Sequence, residues 1–325
     1  MKAIKFFAIS AMAAAMITSC SSEDELSQSN YPSDNIIRVT AGVNNAKTRA
    51  EGAGTEMKND FSLTIVNKNA PKYTYTDKVF SKTSGDWACS ETLLWQKSDA
   101  LVDIVAFAPA QTGKFNGVYA NGSIQPITYS VADDQSTKSD NNDLLYYYAK
   151  DFNPGTSLDK GKLNIQFNHA FCMIDINVTL GTEFNKPSIP TTSPIIKVTL
   201  GGTKIAANVN VTNAASVVTA SGEATATDIT TTNGSFTTAA DPEKNAISRF
   251  SCIAIPQTVG ANTFKVSLMT AGKRYEWTSA EPVELKSGYR YTLKLSMGND
   301  VVLLKGGSIS ATKWTEISGG SLETD

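Results

Sequence analysis

A chain with a single histidine has little room for most hydrolytic machinery. A Ser-His-Asp or Cys-His arrangement would have to use His169. That residue stands between Phe167 and Phe171 in an apolar alternating run, the setting of a structural side chain. Catalytic zinc sites draw on several histidines, and here there is one. Asp133, Asp134, Asp140 and Asp143 offer oxygens to calcium, but their spacing is not that of an EF-hand and the loop glycine is missing, so they read as a solvated loop. The stretch EGAG (51–54) lacks the third glycine and the strand-to-helix setting of a dinucleotide loop. The 31 acids contain many carboxylate pairs, and nothing singles one out for glycoside hydrolysis. No catalytic residue, metal or cofactor is assigned, and the protein reads as not an enzyme.

The side chain that does point to chemistry is Cys20. It closes an apolar run from Phe6 to Ile17 that follows Lys2 and Lys5. About a dozen apolar residues are too few to span a bilayer, which takes roughly 20. Residues 1–19 therefore read as an export signal. Ile17-Thr18-Ser19-Cys20 resembles a bacterial lipobox, which implies a diacylglycerol thioether on Cys20, cleavage before it, and acylation (palmitate among the chains) of the new N-terminus. Several acyl chains anchor durably where one is marginal. Glu23, Asp24 and Glu25 follow at once, within a Ser-rich segment containing Pro32. Residues 20–35 read as a solvated, extended tether. The acids resemble the tag that sends lipoproteins of Bacteroidetes-type bacteria to the outer face of the outer membrane.

Composition excludes other classes. The formal net charge is −2, from 29 bases and 31 acids. Loss of Lys2 and Lys5 leaves 27 bases, or −4. There is no basic surplus for a phosphate backbone, so nucleic acid is excluded as a partner. Cys89, Cys172 and Cys252 include no C-x-x-C pair. Spacing leaves a Cys172–Cys252 bridge and buried free thiols both open.

The elements that must carry these residues are strands. Ile37, Val39, Ala41 and Val43 fall on one face, with Arg38, Thr40 and Gly42 on the other. Phe61, Leu63 and Ile65 repeat the pattern. Val102, Ile104, Ala106 and Ala108 oppose Leu101, Val105 and Phe107, which predicts a strand buried on both faces and ended by Pro109. After the turn-rich stretch 151–161, Leu163, Ile165 and Phe167 share a face. Ala170, Cys172, Ile174, Ile176 and Val178 then share one with the parity switched, which predicts a bulge near Asn168–His169. Eleven threonines lie between Val198 and Ala240, with no helix-forming run. Residues 263–279 form a hairpin turning at Ala271-Gly272, and Tyr289, Tyr291, Leu293 and Leu295 mark a late strand. No helical period lasts three turns. The expected fold is all-β, two β-sandwich domains in tandem over 36–155 and 160–325.

Several segments together resemble the fimbrillin-like surface lipoproteins of Bacteroides: VTAGVNNAKTRAEG (39–52), VDIVAFAP (102–109), DDQSTKSDNNDLLYYYAK (133–150), FNHAFCMIDINV (167–178), IAIPQT (253–258), SGYRYTLKL (287–295) and ISATKWTE (309–316). The resemblance implies transthyretin-like sandwiches and assembly by strand exchange. An arginine-specific protease would cut at Arg49-Ala50, in a loop loosened by Gly52 and Gly54. The first strand, with Ile37, Val39, Ala41 and Val43, would leave, and a neighbour's strand would fill its place by β-augmentation. The donor candidate is the segment 301–317, with Val302, Leu304, Ile309, Trp314 and Ile317 as anchors, where Gly306-Gly307 leaves open which of two strands is given. The same segment also fits a closing strand of its own chain. The implied partners are other fimbrial subunits, the outer membrane through the lipid, and a host or bacterial surface ligand. A different class stays open beside this one: a non-polymerising surface lipoprotein that binds glycans on Tyr73, Tyr75, Trp87 and Trp95.

Overall fold

A computed structural model describes residues 30–44, 55–57, 59–110, 118–137, 142–298 and 305–313. In chain order the first strands are β1 (Arg38–Val43), β2 (Thr55–Glu56), β3 (Phe61–Val66), β4 (Tyr75–Thr83), β5 (Asp86–Cys89) and β6 (Val102–Ala108). A small hairpin follows, β7 (Tyr119–Ala120) and β8 (Ser123–Ile124), then β9 (Ile127–Ser130), β10 (Leu145–Phe152) and β11 (Lys162–His169). The one α-helix among the described residues, α1 (Pro154–Ser157), is a single turn capped by Asn153. Alternation carries the strand assignment, as it should where one face is apolar.

Eight of these strands form one sheet in the order β11-β10-β6-β3-β4-β5-β1-β2, and β1 also pairs with β11. That extra pairing closes the sheet on itself. It is parallel, from Arg38 opposite Lys162 to Val43 opposite Phe167, in a sheet whose other pairings are antiparallel. Inside the ring, Phe61, Leu63, Ile65, Ile104, Ala106, Leu163, Ile165 and Phe167 form the first core.

The remaining strands are β12 (Cys172–Leu180), β13 (Ile195–Gly201), β14 (Ala206–Val209), β15 (Val218–Ala220), β16 (Ile229–Thr230), β17 (Thr232–Thr237), β18 (Ile247–Ala254), β19 (Gln257–Val259), β20 (Lys265–Thr270), β21 (Arg274–Thr278), β22 (Val283–Leu285), β23 (Tyr289–Met297) and β24 (Lys305–Lys313). A five-stranded sheet, β17-β18-β12-β23-β24, and a four-stranded one, β16-β13-β20-β21, put their apolar faces into a second core, a β-sandwich. The sheet β15-β14-β9 adds Ile127, Tyr129, Ala207 and Val209 to it.

Three expectations are corrected. The parity switch at 168–170 is not a bulge in one strand. β11 ends at His169 in the large sheet and β12 starts at Cys172 in another, so each keeps its alternation but faces a different core. The chain therefore changes cores at Ala170–Phe171, not at 151–161, because β11 is claimed by β1 and β10. β9 joins β14, and the segment from Val118 to Val131 packs in the second core although sequence order places it in the first half. The two cores share a wall as well: β6 sends Ile104 and Ala106 one way and Val105 and Phe107 the other. That double burial is the one the sequence predicts, except that Leu101 lies before the strand and is 47% exposed. The hairpin turning between Thr270 and Arg274 stands as expected.

Candidate functional site

The candidate site is the slot that β1 occupies. Ile37, Val39 and Val43 are buried in the first core, and Ala41 is half-buried against it. Burying side chains of this size stabilises by roughly 1.5–3 kcal/mol each. On one side β1 is paired along its whole length with β11. On the other side β5 meets it at one residue pair, Val39 opposite Trp87, and β2 at two, Gly42 opposite Glu56 and Val43 opposite Thr55. The approach to the strand is fixed too. The Ile37 amide donates to Leu93 O (2.9 Å) and the Trp95 amide to Asn35 O (2.8 Å). Arg38 donates to both oxygens of Asp34 (3.0 and 2.6 Å), and that bond, helped by the Ile36 amide, lowers the Asp34 pKa to about 2. At the far end the Asn44 amide donates to Phe167 O (2.8 Å).

The outward face holds residues that sequence reasoning passed over. Thr40 Oγ1 donates to Asn164 Oδ1 (3.3 Å), Gln166 Nε2 to the same oxygen (2.8 Å), and Asn44 Nδ2 to Asn168 Oδ1 (2.8 Å). The alternation of Asn164, Gln166 and Asn168 between apolar residues was the available signal.

β24 is an edge strand, paired antiparallel with β23 alone. It runs through Gly306-Gly307 without a break. The register shift between Lys294 and Leu295 absorbs the extra glycine as a bulge, so the two glycines do not divide two strands. Ile309 lies opposite Leu293 and packs on the second core. Cys20, Arg49, Ala50, Val302, Leu304, Trp314 and Ile317 lie outside the described residues.

The other candidates do not gather into a site. His169 is buried, with Nδ1 2.7 Å from Asp143 Oδ2, where the chain passes from β11 to β12. Cys172 and Cys252 are free and buried, so no bridge joins them. They sit diagonally across β12 and β18, since Cys172 faces Ala254 and Cys252 faces Ile174, a placement that leaves the backbones too far apart for easy bridging. Burial raises both thiols, Cys252 to about 12. Of the aromatics, Trp95 is buried, Trp87 packs edge-on against Phe61 at 4.9 Å, Tyr75 Oη is held by Leu94 N and O, and Tyr73 lies under Lys72. Among the described residues no group of three or more His, Cys, Asp or Glu side chains could hold a metal ion, and no helix is long and apolar enough to cross a membrane.

Comparison with known proteins agrees with this architecture. A family model described as fimbrillin-like matches residues 48–314. A candidate cell adhesion protein from Bacteroides ovatus has a TM-score of 0.58 at 16% identity, covering 87% of this chain and 98% of its own. A second, from Bacteroides uniformis, has a TM-score of 0.56 at 14% identity, covering 87% and 100%. A fimbrial protein from Bacteroides vulgatus has a TM-score of 0.54 at 15% identity, covering 86% and 99%. At these identities the likeness is one of fold. No curated protein matches the sequence. The family match covers most of the chain, from the residues after β1 through the sandwich to the end of β24: this protein belongs to the fimbrillin-like family.

Proposed function

We propose that this protein is a surface-exposed fimbrial subunit or accessory protein acting in adhesion, tethered through lipid on Cys20 and assembled by strand exchange. In this reading a protease cuts at Arg49-Ala50, β1 leaves with Ile37, Val39, Ala41 and Val43, and a strand from another subunit takes its place. The observation that carries the reading is the way β1 closes the ring. It is the first strand among the described residues, added parallel to β11 in an otherwise antiparallel sheet, and joined to its other neighbours by three residue pairs. Withdrawing it breaks no other pairing, and it uncovers an edge strand and apolar pockets that invite another strand. β24 is the candidate donor, because it is an edge strand with one face already exposed. Val302, Leu304, Ile309, Trp314 and Ile317 are its proposed anchors.

The test is processing in an expressing Bacteroides host. Surface-shed material is sequenced from its N-terminus, and palmitate incorporation is followed in the wild type and in Cys20→Ala. A start at Ala50 with a ladder of heat-labile oligomers on gels is the expected result. A chain that begins at Cys20 and stays monomeric refutes strand exchange, and absence of label refutes the anchor. Tyr75 and Trp87 are held inward and Trp95 is buried, so no observation favours the glycan-binding alternative.

A further inference from the structure

Apolar alternation alone does not fix where a strand stops in the β1 slot. The inward set repeats every second residue, so a slide by two keeps every inward side chain inward. The outward face removes that ambiguity. In the observed register Thr40 lies opposite Asn164, and Val43 opposite Phe167 brings Asn44 beside Asn168. Both meetings are hydrogen-bonded: Thr40 Oγ1 to Asn164 Oδ1 at 3.3 Å, and Asn44 Nδ2 to Asn168 Oδ1 at 2.8 Å. Between them Gln166 Nε2 donates to Asn164 Oδ1 at 2.8 Å, and Asn44 Nδ2 also reaches Gln166 O at 3.5 Å. The pairs are four residues apart on each strand. A slide by two in one direction sets Gly42 opposite Asn164, and in the other direction opposite Asn168. Each slide therefore leaves one of the two asparagines facing a glycine, which has no side chain to bond it.

We propose that Asn164 and Asn168 are a two-point register reader for whatever strand occupies the β1 slot, and that they select an incoming strand carrying hydroxyl or amide side chains four residues apart on its outward face. The proposal rests on the strand-exchange reading and adds a specificity rule to it. β24 of a second copy meets the rule: Ser308 and Thr312 are four apart, exposed, and on the face opposite Ile309.

The test uses the full chain cut after Arg49 by an arginine-specific protease and offered labelled peptides spanning residues 35–45. One peptide has the natural sequence and one carries Thr40→Val with Asn44→Leu, which keeps the inward face intact. The natural peptide is expected to displace the resident segment and to bind about tenfold more tightly, the effect of two surface hydrogen bonds. In chain carrying Asn164→Val and Asn168→Leu that preference is expected to vanish. Uptake with less than twofold preference overturns the reader and leaves strand exchange standing. No uptake of either peptide overturns both. A second measurement needs no cleavage. Hydrogen exchange of the β1 amides is expected to speed up in uncut Asn164→Ala/Asn168→Ala while the second core is unaffected, and unchanged β1 protection overturns the reader.

Discussion

Val39 faces Leu163 across β11 and Trp87 across β5, and the Val39–Trp87 contact is the one residue pair that joins β1 to β5. A ring of strands is thus closed on that side at a single position flanked by the short β2. The inward side chains of β1 hold the seam, and the backbone ladder to β11 aligns it.

The first prediction follows from that division. Val39→Ala removes two methyl groups from a 4% exposed site and is expected to cost about 2 kcal/mol in urea unfolding. Thr40→Ala, one residue on and exposed, gives up the bond to Asn164 and is expected to cost under about 1 kcal/mol. Equal losses would mean that the inward face does not hold the strand.

Gln135 pins a loop to the second core. It is buried, donates to Ile253 O (2.9 Å) and Ala132 O (3.0 Å), and accepts from the Ile253 amide (2.8 Å). Gln135→Ala leaves both Ile253 backbone groups without this partner, at an expected cost of about 2–4 kcal/mol. Thermal or urea melting reads the loss.

Thiol reactivity separates the cysteines. Cys172 and Cys252 are expected to resist a disulfide reagent at pH 8 in the folded protein and to react once it unfolds, while the half-buried Cys89 reacts first. The pH dependence has a definite sign. The folded Cys252 pKa is raised from an ordinary 9.0 to about 12, so its contribution is fully present below pH 9 and is lost as pH rises towards 12. Burial raises Cys172 in the same direction. Cys252→Ala is expected to flatten the fall of stability over that window.

Asp34 reports on the entry to β1. Its pKa is lowered to about 2, first by the bond from Arg38 and then by the Ile36 amide. The stabilisation is present above the ordinary value of 3.8 and is lost as pH falls through 2. Carboxyl NMR titration of Arg38→Ala is expected to return Asp34 towards its ordinary range.

How much could be read in advance varies by element, for physical reasons. β6 was legible down to its double burial, because a run apolar on both faces past Asp103 at its start has nowhere to lie but between two layers. β1 was legible as a strand with its inward set correct, but its parallel partner was not, since alternation names a face and not a neighbour. The reversal of parity near His169 was visible, and its cause was not. A bulge and a passage from one sheet to another shift the pattern alike, and only contacts such as the Ala170 amide on Leu144 O (2.8 Å) distinguish them. The amide ladder on β11 was overlooked because its residues look like ordinary solvated positions until β1 is laid beside them.

The sequence by itself determined that this chain is all strand and which side chain of each strand turns inward, because a period of two follows from the pleat and needs no partner. Which strands meet was decided by tertiary structure: β1 beside β11, β9 beside β14, and one wall between two cores. Such pairings join residues up to more than a hundred positions apart, and their hydrogen bonds are made by a backbone that is the same in every residue.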